Sequence, residues 1–115
     1  MTMIEILDET ANFYNSGNRS IDSGLFCQYN GDNGNKCAFA RCVEDDKLSL
    51  LIEHENAKFI YLSYLKPEYQ GHELLFWRDI QQFHDNDNNW NNNGLTERGI
   101  AHYNRIVGYI NKHYN

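Results

Sequence analysis

The chain has 115 residues, sixteen acidic against ten basic side chains, a net charge of −6 and 41% apolar residues. That length supports one domain, residues 1–115, which buries roughly 65% of its unfolded surface without covalent staples. The acidic balance and the scattered basic residues exclude nonspecific binding to nucleic acid, because phosphates must be met by clustered Lys and Arg. Three cysteines are an odd number, no early apolar run has signal-peptide form, and no stretch approaches the ~20 apolar residues of a membrane span. A soluble, cytoplasmic protein with no membrane partner is expected.

Residues 2–14 place Ile4, Leu7, Ala11 and Tyr14 at three- and four-residue intervals, opposite Glu5, Asp8, Glu9 and Asn12, which predicts an amphipathic helix. Gly17 is available for the left-handed residue past its end. Residues 25–42 read LFCQYNGDNGNKCAFARC, two apolar runs around an Asn/Asp/Gly cluster, the pattern of a β-hairpin. With the turn at Asp32, Leu25, Cys27, Tyr29, Cys37 and Phe39 share one face, and Phe26, Ala38, Ala40 and Cys42 the other. A short helix follows at about 47–55, where Leu48, Leu51 and Ile52 have helical spacing and Asp45 or Asp46 caps the start. Residues 58–65 suit a strand or a loop wrapped over the core, ended by Lys66-Pro67.

The strongest helix pattern spans about 72–85, with Phe76, Ile80 and Phe83 on one stripe, Trp77 and His84 beside it, and Gln81 facing away as a position where Ala should matter little. Residues 85–94 are almost wholly Asp and Asn around Trp90, too polar for a regular element, with the indole expected to plug back into the core. Thr96 has the position of an N-cap for a last helix to about 113, its buried face being Ile100, Tyr103, Ile106, Val107 and Ile110. The fold class is therefore α+β: a small domain in which an antiparallel hairpin is packed by about four helices.

Candidate chemistry is sparse. Cys27, Cys37 and Cys42, with His54, could hold zinc, but their spacing lacks the paired two-residue knuckle. His72, His84 and Asp85 with Asp87 superficially resemble the ligands of metal-dependent phosphohydrolases. Asp85-x-Asp87-x-Asn89 opens like a calcium loop, yet Trp90 stands where the sharp turn needs Gly and Thr96 where a bidentate Glu belongs. The expectation is no bound metal and no cofactor. Glu44, Asp45, Asp46, Glu53 and Glu55 form the one local acidic cluster, and with the Trp90 loop they are candidate contacts for a protein partner.

Cys27-Gln-Tyr29, Gly34-x-x-Cys37-Ala38, Arg41-Cys42, Leu65-Lys-Pro-Glu-Tyr-Gln-Gly-His72 and the Gln-x-x-His84-Asp85…Trp90 run together resemble a family of small phage and prokaryotic proteins, over nearly the whole chain. Ala40 stands where many relatives carry glycine. The resemblance implies an origin without a mechanism. A phage-encoded accessory factor that binds and blocks a host defence or regulatory protein is the leading expectation, a non-enzymatic role. One alternative is a homo-oligomer that sequesters a small nucleotide signal, stacking the base on tyrosines and meeting phosphate with Arg19, Arg41 or His72. The other is a small metal-dependent hydrolase.

Overall fold

The computed structural model describes residues 1–19, 35–52 and 58–114. Among the described residues three α-helices, α1 (Met3–Phe13), α2 (Leu74–Asp85) and α3 (Glu97–His113), combine with one antiparallel hairpin, β1 (Trp90–Asn91) and β2 (Gly94–Leu95), and with short 3₁₀ segments to form a small α+β domain. Its buried apolar residues make one cluster.

Helix α1 starts where Thr2 and Glu5 exchange side-chain and backbone hydrogen bonds, a reciprocal cap that satisfies two N-terminal amides. Its buried face is Ile6, Leu7 and Thr10, with Ile4 and Ala11 only partly covered, so the stripe is rotated from the one predicted. The Thr10 hydroxyl survives burial by donating to the Ile6 carbonyl at 2.8 Å. Asparagine rather than Gly17 closes the helix: Asn18 Nδ2 donates to the Phe13 carbonyl, and Asn15 Oδ1 accepts from the amides of Gly17 and Asn18.

Helix α2 buries Phe76, Trp77, Ile80, Phe83 and His84, the predicted stripe and its flank. Its C-terminal end is buried, so its last carbonyls need donors, and side chains provide them. Asn89 Nδ2 reaches the Phe83 carbonyl at 2.9 Å, while Arg19 Nη1 and Trp90 Nε1 reach the His84 carbonyl at 2.8 and 3.0 Å. The Asn/Asp stretch expected to lack regular structure holds the hairpin. Trp90 pairs with Leu95 and Asn91 with Gly94, which leaves Asn92 and Asn93 as a two-residue link. Gly94 has φ +119°, a conformation that favours glycine.

Helix α3 is capped by Thr96, whose hydroxyl accepts from the Gly99 amide, as predicted. Ile106 and Ile110 are buried and Tyr103 and Val107 half-buried, but Ile100 is half-exposed, a correction to the expected face. Gly99 takes the inner position instead, because the Asn89 backbone passes there: a Cβ on Gly99 would collide with the Asn89 carbonyl oxygen and lie 2.7 Å from Leu95 Cδ2.

Residues 37–43 carry the centre of the core. Cys37, Ala38, Phe39, Ala40, Cys42 and Val43 are each at most 1% exposed. No strand is formed there: the chain turns at Ala38 and Phe39 and continues as a 3₁₀ helix over Ala40–Cys42, so side chains of both predicted faces point into the protein. The hairpin expected at 25–42 is corrected for this arm, and its first arm lies outside the described residues. Phe39 meets Trp77 edge to face at 5.4 Å, and its amide donates to Gln81 Oε1 at 3.2 Å. The segment then runs antiparallel to residues 64–66, through Glu44 N to Tyr64 O and Lys66 N to Cys42 O, both 2.9 Å. The described part of the helix predicted at 47–55 is a 3₁₀ segment, Asp45–Leu50, without a side-chain cap, residues 53–55 lie outside the described residues, and residues 58–65 hold another 3₁₀ segment, Phe59–Tyr64.

Three substitutions test this packing by denaturant unfolding. Gly99→Ala should destabilise because the Asn89 carbonyl must move, whereas Gly108→Ala, with open space around its Cβ, should stabilise by up to about 1 kcal/mol. Gln81→Ala, far from neutral, should cost about 1–3 kcal/mol, since the bonds of Gln81 to the Phe39 amide and to Asp85 are lost. Equal effects at the two glycines would contradict the close approach of Asn89 to α3.

Candidate functional site

Three of the residues that the sequence nominates for binding, Arg19, Arg41 and Trp90, are structural. The Arg19 side chain is 4% exposed; it caps α2 and pairs with Asp87 through Nη2. Trp90 is 5% exposed and touches Tyr14 and Phe83 edge to face, so it is a core ring and not an exposed contact. Arg41, 14% exposed, donates from Nη1 to Glu9 Oε1 at 2.6 Å, and its guanidinium lies 5.1 Å over the Phe13 ring. Tyr69 donates its hydroxyl to the same Glu9 oxygen. Burial by itself raises the Glu9 carboxyl pKa, but these two donors outweigh it and hold the group below the ordinary carboxylate value. Arg19 and Arg41 are therefore not free to meet a phosphate.

The metal candidates do not converge. His72 precedes α2 and His84 ends it, so the α2 rise of 1.5 Å per residue separates them by roughly 18 Å. His72 Nε2 lies 2.7 Å from the Met1 carbonyl and lines a different hollow, with Ile4, Glu73 and Tyr114, at the far end of the domain. His84 is wholly buried, with Nδ1 on Asp85 Oδ1 at 2.8 Å, and Asp85 also accepts from Gln81. Asp87 is taken by Arg19, and Asn89 by Phe83 and His102. Burial pushes the Cys42 thiol up to about 12, only partly countered by Arg41, which keeps it neutral and unlike a thiolate ligand or nucleophile. Cys37 is likewise a buried free thiol, and Cys27 lies outside the described residues. Among the described residues no group of three potential ligands forms.

The surface feature that the structure does assemble surrounds the acidic cluster. Asp45 and Asp46 are exposed and Glu44 half-buried, whereas Glu53 and Glu55 lie outside the described residues. Beside them stand four large apolar side chains in water: Phe59 (77% exposed), Ile60 (61%), Leu50 (49%) and Ile52 (48%). Two bonds bring their segments together, Glu44 N to Tyr64 O at 2.9 Å and Ile52 N to the Tyr61 hydroxyl at 3.0 Å. The 3₁₀ geometry of Phe59–Tyr64 causes the exposure. With three residues per turn only one row can face inward; Tyr61 and Tyr64 take it, their rings 5.7 Å apart, and Phe59 and Ile60 are turned out. Sequence reading missed these residues because an apolar run reads as core in a strand or in a loop laid over the core. No helix of the described residues is long and apolar enough to cross a membrane.

Buried His84 and half-buried His102 predict acid sensitivity. Burial lowers the pKa of His84, against the pull of Asp85, and burial with Arg105 lowers that of His102. The unfolded chain takes up both protons near the ordinary value of 6.5 and the folded one resists them. Their contribution to stability is thus whole above that pH and lost as pH falls towards the folded values. Glu5 and Glu9, both depressed, contribute a second loss below the ordinary 4.5, while Asp79, raised by burial, acts in the opposite sense. The melting temperature should therefore fall between about pH 7.5 and 5.5; a flat profile there would contradict neutral burial of His84.

Comparison of the chain with family models, with curated proteins and with solved structures returns no match, which leaves the geometry above as the ground for a functional reading.

Proposed function

We propose that this chain is a non-enzymatic binding protein, a phage-encoded accessory factor that acts by covering a surface of a host defence or regulatory protein. The observation that carries the reading is the face formed by Leu50, Ile52, Phe59 and Ile60 beside Glu44, Asp45 and Asp46. Isolated apolar residues are normal on a surface, but four large ones on two segments tied side by side make the kind of patch that marks an interaction site. An apolar centre with a charged rim has the anatomy of a protein interface. The rim carries Glu44, Asp45 and Asp46 on one side together with Lys47 and Lys58, so the partner surface it fits is apolar at its centre and basic where it meets the carboxylates.

Such docking needs no catalytic set, and the residues that could have formed one are engaged in holding the fold: Glu9 by Arg41 and Tyr69, His84 by Asp85, and Asp87 by Arg19. The aromatic Phe59, with 77% of its surface in water, is the natural anchor.

Affinity capture from a host lysate with wild-type chain, a Phe59→Ser/Ile60→Ser variant and an Asp45→Asn/Asp46→Asn variant tests the reading. The wild type should retain a specific protein that the apolar variant loses and the neutralised variant retains more weakly, with wild-type capture falling as salt rises. Neither variant alters a buried residue, so both should melt as wild type does. The same proteins retained by the apolar variant, or none retained by folded wild type, would overturn the proposal.

A further inference from the structure

We infer that the groove between α2 and α3 binds a nucleoside diphosphate, with its phosphates between Arg98 and Arg105 and its base laid against Tyr109. The site shares no residue with the docking face and does not depend on it.

Four observations carry the inference. The first is a pair of free cations. Arg19 and Arg41 are committed inside the protein, whereas Arg98 and Arg105 are exposed and make no ion pair or hydrogen bond among the described residues. They stand seven residues apart on α3, two turns or roughly 10.5 Å, which two guanidinium side chains can close around a diphosphate between them. Ala101, on the intervening turn, is small enough to leave that space open, and Asn86, Asn88 and Asn89 form the opposite wall of a polar hollow of about 340 Å³. Paired arginines with planar N–H forks are the side chains best matched to phosphate oxygens.

The second is continuity. Arg105 also borders a neighbouring hollow of about 280 Å³ with Leu75, Asp79, His102, Ile106 and Tyr109, so the two hollows share that residue. Together they reach the size range of small-ligand pockets.

The third is the apolar half. Tyr109 and Leu75 are 45% and 57% exposed, and the Tyr109 ring is held against His113 with centroids 4.2 Å apart. An aromatic ring held in place beside aliphatic side chains is a platform on which a base can stack.

The fourth is polarity along the groove. Asp79, half-buried at the apolar end, repels phosphate from that end and offers an acceptor to an exocyclic amino group. Asn89 Nδ2 is a donor, so His102 Nδ1, 2.9 Å away, must accept; the imidazole proton then sits on Nε2, where it can be donated to a ligand. The groove thus presents cations at one end and a carboxylate with a ring at the other, which gives the ligand one direction. The net charge of −6 opposes a long polyanion while leaving a local two-arginine clamp open to a small one.

Titration calorimetry of the full chain with ADP, with inorganic pyrophosphate and with adenosine tests the assignment. ADP should bind more tightly than either fragment. Arg105→Ala, which removes the group shared by both halves, should weaken ADP by about tenfold or more. Arg98→Ala should weaken ADP and pyrophosphate alike, Tyr109→Ala should weaken ADP and leave pyrophosphate unchanged, and Lys112→Ala should change neither. All four positions are exposed, so unchanged melting will show that each variant is folded. No heat with millimolar ADP, pyrophosphate binding as tightly as ADP, or an Arg105→Ala variant that binds as wild type would each overturn the inference.

Discussion

The C-terminal end of α2 is the constraint on which the tertiary arrangement depends. A helix end removed from water leaves carbonyls that must find donors, each unmade bond costing about 1–3 kcal/mol. No glycine follows Asp85 to turn the chain back and satisfy them with backbone amides. Three side chains do so from three places: Arg19 from the turn after α1, Asn89 from the 3₁₀ segment Asp87–Asn89, and Trp90 from β1. Each brings its own segment to the same spot. Asn89 then accepts the Thr96 amide at 2.9 Å, which sets the entry to α3, while the Ser16 amide donates to the Asn91 carbonyl and ties the hairpin back to α1.

Around that end the core is built from aromatic edges rather than from a sheet. Tyr14 stands between His84 and Trp90, Phe83 between Trp90 and His102, and Phe39 against Trp77. The Tyr14 hydroxyl is satisfied by the Lys36 carbonyl at 2.7 Å, which anchors the start of the buried 37–43 segment to α1. Thr10, Asn89 and His84 enter this interior with partners supplied, whereas Trp77 Nε1 is buried without one among the described residues. The arrangement accounts for a His-Asp pair that looks catalytic in sequence: the imidazole is a buried packing ring whose Nδ1 is met by its neighbour Asp85.

The same accounting separates the cations by role. Arg19 satisfies the buried His84 carbonyl and Arg41 is paired with half-buried Glu9, whereas Arg98 and Arg105 on α3 are exposed. The surface divides accordingly into an acidic, apolar face formed by residues 44–52 and 59–64, and a groove on α2 and α3 that is cationic at one end. A net charge describes neither face, because it averages over them.

The helices 74–85 and 97–113 were legible in the sequence because their apolar spacing is strong and Thr96 is an unambiguous cap, and Trp90 was legible as a core ring because a large aromatic in an Asn-rich loop has nowhere else favourable to go. The class, α+β, was read with its hairpin at 25–42, whereas the hairpin of the described structure lies at 90–95, in the stretch expected to be irregular. What the sequence could not decide was which of two elements an apolar run forms when it is buried on every side. Residues 37–42 alternate like a strand, yet they turn inside the core, where periodicity carries no information about faces. Nor could it decide which arginines are spoken for, since Arg19 meets His84 and Asp87 across more than sixty positions of chain. Local pattern determined the helices and the Thr96 cap; pairing between distant segments, which only the closed tertiary structure brings within hydrogen-bond reach, decided where the hairpin sits and which charges are internal.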